Sequence, residues 1–290
     1  MAGAYMEMTV AATGAFAEAC MGLLSEIGVE AFWEDGDRLR CYVRESRWDP
    51  ALPEAVEEIL RRLARSHDTP LPAVAVARVP ERDWNAEWER SIKPVRVSGR
   101  IIVAPTWEPV RAGPRDILIR IDPKMSFGTG HHESTRLSLR LVERYVRPGM
   151  RMLDVGTGTG ILAIAALRLG AGHATGVDND PWACRNAREN AAINGVTAAL
   201  EVLQGETDAA PAVPHDLVAA NIQRDVLERI LPLLCERLAP GGVLILAGLL
   251  AGDGEPMERL LAGQGLRIEE RAEENEWTAL AASRRRTAPQ

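Results

Sequence analysis

The 290-residue chain has no long hydrophobic run, and this absence bears on where the protein works. No stretch approaches the ~20 consecutive apolar residues that a membrane-spanning helix needs. The N-terminal stretch MAGAYMEMTVAATG also lacks the basic start and the apolar core of a secretory signal. We therefore expect a cytoplasmic protein without a membrane partner.

The chain also has few cysteines and no net positive charge. The four cysteines show no C-x-x-C pair and no metal-like spacing, which predicts reduced, buried thiols. They are Cys20, Cys41, Cys184 and Cys235. The formal net charge of −7 lacks the basic footprint of a general nucleic-acid-binding protein, so we expect no direct nucleic-acid recognition. An acidic chain suits a basic protein substrate better.

The first 80 residues show the order βαββαβ. Alternating and helical apolar spacing predicts strands over residues 5–10, 31–34, 38–43 and 73–79 and helices over 15–27 and 53–64. This order predicts a small ferredoxin-like α+β domain over residues 1–80. Residues 81–99 are predicted to be a linker with a short helix at 83–90, packed through Trp84 and Trp88.

Residues 100–283 alternate strand and helix, which predicts an α/β domain with a mostly parallel sheet covered on both faces. Strands are predicted at 100–105, 117–121, 152–155, 174–177, 199–203, 216–220 and 243–247, and helices at 160–169, 181–194, 224–238 and 254–262. Residues 266–272 and 277–282 predict a terminal antiparallel hairpin, and 284–290 a disordered tail. We expect a monomer.

A glycine-rich loop follows the first strand of this alternation, in the run RMLDVGTGTGI. Gly156 and Gly158 let backbone amides approach a ligand at the carboxyl end of a strand. A dinucleotide fingerprint needs a further glycine where Ile161 stands. Asp154 before G-x-G-x-G instead suits S-adenosyl-L-methionine, which has no pyrophosphate and whose cationic methionine portion tolerates a carboxylate. Asp154 can also hold the loop by accepting its backbone amides.

Two aspartates follow the second strand. Asp178 ends it, 22 positions after Gly156, where a carboxylate accepts both hydroxyls of a ribose. Asp180 precedes Pro181 and is predicted to be the N-cap of the next helix. Because NAD also carries adenosine, a NAD-binding oxidoreductase remains the distant alternative. The terminal hairpin and the D-x-G-x-G-x-G spacing favour a methyltransferase.

Asn221 ends the fourth strand and is predicted to be catalytic, together with Phe127 of the segment before the sheet. Its amide oxygen, facing the cleft, can accept an N–H bond from an incoming amine and aim the nitrogen lone pair at a methyl group. The structural alternative is that Asn221 caps the helix that starts near Arg224.

The segment 122–136, DPKMSFGTGHHESTR, carries Phe127 beside a glycine turn. A structural alternative is a loop in which Ser134 or Thr135 caps the following helix. The run 131–133 (His-His-Glu) is not predicted to bind a metal, because adjacent histidines usually point apart and no other ligand group is near in sequence. One of these histidines can still serve the site through a hydrogen bond.

These motifs resemble the ribosomal protein L-eleven (L11) methyltransferase family. The resemblance covers most of the chain. It rests on WNAEWERSIKP, FGTGHHESTR, DVGTGTGILAIAALRLGA, GVDNDP, the A-N-I motif, GGVLILAGLL and Glu276-Trp277. The FGTG-x-H element together with the glycine loop is far more specific than either alone.

The resemblance implies a ferredoxin-like domain that binds the ribosomal protein, a flexible linker and a class I methyltransferase domain from about Phe127 onward. The implied reaction transfers methyl groups from S-adenosyl-L-methionine to lysine side chains of L11, with its N-terminal amine as a further candidate. The implied cofactor contacts are Thr135, Gly156, Asp178 and Asn221, with Phe127 against the cofactor or the incoming amine.

Two residues depart from the family pattern. Gln223 stands where Leu usually follows Asn-Ile, and Ser134 stands where Thr is common. Neither change removes an implied cofactor contact. Two alternatives of function stay open: a methyltransferase of the same class acting on a non-ribosomal lysine, and a binding module that has lost catalysis. The intact acids and glycines of the loop disfavour the second.

Overall fold

The computed structural model describes residues 4–66, 69–80, 92–124 and 126–284. The chain divides into two compact units, an N-terminal unit of residues 1–84 and a C-terminal unit of residues 85–290. The predicted linker helix at 83–90, with Trp84 and Trp88, lies outside the described residues, as do residues 285–290 of the predicted tail.

The N-terminal unit has the predicted βαββαβ order. Its elements are β1 (Ala4–Ala11), α1 (Gly14–Glu26), β2 (Ala31–Asp35), β3 (Arg38–Arg44), α2 (Leu52–Ser66) and β4 (Val74–Pro80). All pairings are antiparallel, in the order β2-β3-β1-β4. The predicted ferredoxin-like arrangement is confirmed.

Two hydrophobic periodicities build the core of this unit. In β3 every second side chain is buried, namely Leu39, Cys41 and Val43, because successive side chains of a strand point to opposite faces. In α2 the buried Val56 and Leu60 lie one turn apart and pack into the same cluster. The apolar faces of the sheet and of the helices thus cover each other.

The C-terminal unit is built on a seven-stranded sheet in the order β10-β9-β8-β11-β12-β14-β13. Its strands are β8 (Arg151–Val155), β9 (His173–Asp178), β10 (Leu200–Gln204), β11 (His215–Asn221), β12 (Leu238–Leu250), β13 (Leu266–Glu274) and β14 (Trp277–Arg284). The first five are parallel, and β13 and β14 form the predicted antiparallel hairpin. The predicted fold class is confirmed.

Helices cover both faces of this sheet. They are α3 (Glu133–Tyr145), α4 (Ile161–Arg168), α5 (Pro181–Ile193), α6 (Arg224–Arg237) and α7 (Gly254–Gly263). In β8, Met152 packs into the cluster with α3, α4 and α5, whereas Leu153 packs into the cluster with α6 and α7. Strands buried on both faces explain the near-continuous apolar runs of this region.

A second sheet of three strands precedes α3. It contains β5 (Val95–Arg96), β6 (Ile101–Ala104) and β7 (Ile117–Arg120). Residues 95–96, predicted as linker, pair antiparallel with β6. This pairing was not visible in the sequence, because a two-residue strand carries no periodicity of its own.

Three further boundaries differ from the sequence-based expectation. The N-cap of α3 is His132, whose side chain accepts the Ser134 amide, so neither Ser134 nor Thr135 is the cap. Strand β12 starts at residue 238 rather than 243, with a register shift opposite residues 215–217. Strand β14 includes Arg284, whose guanidinium donates to the Cys235 carbonyl.

All four cysteines are free and buried, as predicted. Burial raises the pKa of Cys20 to about 11 and the pKa of Cys41 to about 12, which keeps both thiols protonated and unreactive. Within the described ranges, no helix is both long and apolar enough to cross a membrane.

Candidate active site

A cavity of about 630 Å³ opens in the C-terminal unit where β8, β9 and β11 end. The strand order reverses beside β8, and open α/β sheets bind ligands at such a switch point. Five of the seven predicted site residues line the cavity: Phe127, Gly156, Gly158, Asp178 and Asn221. The other two, Thr135 and Asp154, lie behind them and are fully or almost fully buried.

The glycine loop needs glycine for reasons of space as well as conformation. Gly156 and Gly158 have φ of 70° and 54°, a region that other residues rarely adopt. A Cβ on Gly156 would lie 2.4 Å from the Ile222 side chain. A Cβ on Gly158 would lie 2.4 Å from the Phe127 carbonyl oxygen. A side chain at either position would collide with these neighbours, so the loop can pack this closely on Ile222 and Phe127 only because both residues are glycine.

Asp178 ends β9 and faces the cavity, half-buried. One carboxylate oxygen accepts the Gly158 amide at 2.9 Å, and the other accepts the Asp180 amide at 3.0 Å. These bonds fix the carboxylate and leave each oxygen a further lone pair for a ligand hydroxyl. Asp180 caps α5 by accepting the Trp182 amide at 2.8 Å, as predicted.

Asp154 lies beneath the loop, with 1% of its surface exposed. Its Oδ2 accepts the Thr157 hydroxyl at 2.8 Å and the Ala163 amide at 3.3 Å, while Oδ1 has no partner among the described residues. Desolvation raises the Asp154 pKa to about 7 against the lowering effect of these bonds, and the Asp178 charge adds to the rise. Asp154 therefore holds the loop, and a direct cofactor contact stays a prediction.

Asn221 presents an unpaired acceptor among the residues that line the cavity. Its Nδ2 donates to the Thr135 hydroxyl at 3.5 Å, and its buried Oδ1 has no partner in the described part of the chain. The N-cap position of α6 is Gln223, which makes no side-chain cap bond, so Asn221 does not cap this helix. Because an unpaired buried acceptor is costly, Oδ1 is suited to a donor that a ligand brings. Thr135 holds the amide from behind.

Three aromatic rings form one side of the cavity, which we call the aromatic wall: Phe127, His132 and Trp277. The His132 ring lies edge-on to both others, with centroids 5.3 Å from Phe127 and 4.5 Å from Trp277. Phe127 is 55% exposed. Sequence reasoning assigned no role to Trp277, because nothing local indicates that a residue of the terminal hairpin reaches this cavity.

The two adjacent histidines take separate directions. His131 Nε2 lies 2.8 Å from the Lys93 carbonyl oxygen, whereas His132 Nδ1 accepts the Ser134 amide at 3.2 Å. Among the described residues, no group of three or more His, Cys, Asp or Glu side chains is placed to hold a metal ion.

Together, the parallel sheet with its terminal antiparallel hairpin and the cavity at the glycine loop define the Rossmann-like methyltransferase class. Comparison with known proteins identifies the family within this class. Residues 4–285 match the family described as "Ribosomal protein L11 methyltransferase (PrmA)". The chain belongs to the ribosomal protein L11 methyltransferase family, as its motifs predicted.

Relatives within this family cover most of the chain. A ribosomal protein L11 methyltransferase of Pelotomaculum thermopropionicum is 45% identical over 234 residues, which are 81% of this chain and 76% of that protein. One from Pelobacter propionicus is 40% identical over 249 residues, 83% and 80% of the two chains. The crystal structure of a ribosomal protein L11 methylase from Lactobacillus delbrueckii subsp. bulgaricus superposes with a TM-score of 0.62 at 32% identity, covering 67% of this chain and 99% of that one.

Proposed function

We propose that this methyltransferase transfers methyl groups from S-adenosyl-L-methionine to amino groups of ribosomal protein L11, on lysine side chains and at the N-terminal amine. The observation that carries the proposal is the unpaired Oδ1 of Asn221 in a cavity shared with the glycine loop and Asp178. Membership of the family supports the choice of substrate. We further propose that the protein acts in the cytoplasm, as a monomer.

The cavity residues fit the cofactor. The two loop glycines line the cavity with backbone in a conformation that other residues rarely adopt, and Asp178 offers acceptors for ribose hydroxyls. The volume of about 630 Å³ is in the range of small-molecule sites. When bound, S-adenosyl-L-methionine supplies an electrophilic methyl group on a positively charged sulfur.

Asn221 would orient the amine. Its Oδ1 accepts one N–H of the neutral amine, which directs the nitrogen lone pair into the cavity, and Thr135 keeps the amide from rotating. A free lysine amine has a pKa near ~10.4. The aromatic wall removes water from the amine, and this desolvation lowers its pKa and favours the reactive neutral form. Correct orientation alone is worth roughly 7–11 kcal/mol.

The charge of the N-terminal unit supports a basic protein substrate. Residues 1–84 contain 15 acidic and 9 basic side chains, so this unit carries most of the net charge of −7. Such a surface attracts a basic partner and speeds encounter at low salt. A ribosomal protein of basic composition fits this field.

Incubation of purified L11 with the chain and isotope-labelled S-adenosyl-L-methionine tests the proposal, with mass spectrometry locating the label. We expect label on lysine or N-terminal amines of L11. Label confined to a non-ribosomal protein in a mixed extract would overturn the substrate. Calorimetry separates the cofactor, because binding of NAD without binding of S-adenosyl-L-methionine or its demethylated product would sink the whole assignment.

A further inference from the structure

The imidazole ring of His132 both caps helix α3 and lines the cavity. On one side its Nδ1 accepts the Ser134 backbone amide at 3.2 Å and lies 2.8 Å from the Ser134 hydroxyl, which makes it the N-cap of α3. On the other side the ring lines the cavity within the aromatic wall. Among the described residues, Nε2 has no hydrogen-bond partner.

The cap decides which nitrogen carries the proton. A backbone amide can only donate, so Nδ1 must present its lone pair to Ser134. The neutral ring therefore carries its hydrogen on Nε2, and Nε2–H is a donor on the side of the ring away from the helix. This arrangement disfavours a general base at His132, because the basic lone pair is occupied by the cap.

The terminal hairpin holds this ring in place. Its turn is tied to the start of α3, where Asn275 donates to Glu133 at 3.1 Å and Arg136 donates through Nε to Glu274 at 2.8 Å. The next residues bring Trp277 against His132. A donor held between two fixed contacts, the cap and the Trp277 ring, is preorganised for one acceptor.

We propose that His132 is a substrate-binding residue whose Nε2–H donates to a main-chain carbonyl of the polypeptide next to the amine being methylated. The inference rests on the function proposed above. The amine itself needs an acceptor, which Asn221 provides, so a donor at the same cavity must serve a different group. Main-chain carbonyls are the acceptors that every polypeptide brings. The exposed Phe127 can pack on the aliphatic part of the substrate lysine side chain.

Two substitutions separate the jobs of the ring. His132→Asn keeps an acceptor close to the position of Nδ1, and Asn is a good N-cap, but it removes the donor at Nε2. His132→Gln places an amide N–H near the position of Nε2 and gives up the cap. The matched control is His131→Asn, since that ring bonds the Lys93 carbonyl and does not line the cavity.

We expect His132→Asn to raise the KM for L11 about tenfold, the loss of roughly one good hydrogen bond. The change in KM should exceed the change in kcat, and cofactor affinity should stay close to the wild-type value. In His132→Gln the KM should fall back most of the way to the wild-type value, while the Tm should be lower than that of the wild type. The control His131→Asn should match the wild type in both.

Three results would overturn the inference in a wild type that methylates L11. The first is an unchanged KM in His132→Asn. The second is a weaker calorimetric affinity of this variant for S-adenosyl-L-methionine, which would mean that Nε2–H donates to the cofactor carboxylate. The third is loss of the acidic limb of the variant's kcat/KM pH profile, which would make His132 a base. A wild type that transfers no methyl group to L11 would instead refute the proposed function.

Discussion

The two units of the chain bury different kinds of side chain. Of the buried polar and charged residues that the structure describes, Glu7 alone belongs to the N-terminal unit. The C-terminal unit holds the others: Ser134, Thr135, Ser138, Asp154, Thr157, Thr159, Thr175, Asn186, Asn190, Asn194, Thr207, His215 and Thr278. An apolar core needs only a pattern, whereas a cavity at strand ends needs loops whose polar groups are satisfied.

Helix α5 shows how these polar groups serve the site. Asn190 donates to the Thr159 carbonyl at 3.0 Å and accepts the Asp122 amide at 3.0 Å. Asn186 donates to the Asp122 carbonyl at 2.8 Å. Two asparagines of one helix thus fasten both the glycine loop and the segment that leads to Phe127. The C-terminal unit thus uses its buried polar groups to shape the cavity, whereas the N-terminal unit buries almost none.

Matched core truncations give the largest expected effects and test whether the two units depend on each other. Leu60 and Leu244 are fully buried, one in each unit. We expect each Leu→Ala change to cost about 2–5 kcal/mol of the unfolding free energy of its own unit. Only Leu244→Ala should weaken S-adenosyl-L-methionine binding in calorimetry, because all cavity residues lie in its unit. Equal weakening of cofactor binding by Leu60→Ala would contradict the independence of the two units.

Asn221→Ala should separate activity from stability within the C-terminal unit. We expect turnover to fall by about 10²-fold, because the amine loses the acceptor that orients it. Tm should stay near the wild-type value, which a thermal melt checks. Any loss of cofactor affinity, measured by calorimetry, should be smaller than the loss of turnover. Near-normal turnover in this variant would refute the role assigned to Asn221.

Two glycines with positive φ, one in each unit, should differ in what an added Cβ costs. Gly36, in the N-terminal hairpin, has φ of 63° and open space around its Cβ position. Gly36→Ala should therefore cost only the strain of the left-handed conformation, about 1–2 kcal/mol. Gly158→Ala adds a clash with the Phe127 carbonyl, and we expect about a tenfold or larger loss of cofactor affinity. Equal cofactor affinity in the two variants would show that the glycine loop is not the cofactor site.

Asp154 is expected to make the unfolding free energy depend on pH. In the folded protein the Asp154 carboxyl has a pKa of about 7, whereas the carboxyl of an unfolded Asp has a pKa near ~3.9. The folded state therefore binds more protons between these values, and stability falls as pH rises through that window, by at most about 1.4 kcal/mol per pH unit. Asp154→Asn should flatten this slope in unfolding curves taken from pH 5 to 8. Parallel curves for the two proteins would contradict a raised Asp154 pKa.

Much of the architecture was predictable because it depends on local patterns. The periodicity of α2 and β3 predicted their buried faces, and D-x-G-x-G-x-G predicted a ligand-binding loop at a strand end, where the cavity lies. Five of seven predicted site residues line the cavity. The burial of Asp154 and Thr135 behind the cavity wall was not predictable. A sequence motif gives the residue type at a position but does not show whether its side chain faces a ligand or supports the residue that does.

The order of elements, the class of the sheet and the residues at its strand ends follow from local sequence, because hydrophobic spacing and glycine conformation act over a few positions. Three features exist only in the folded molecule: Trp277 contacts His132, Thr135 lies behind Asn221, and the His132 cap leaves a donor at the cavity. Trp277 is 145 positions from His132 in the chain, and only the folded sheet brings the two rings together.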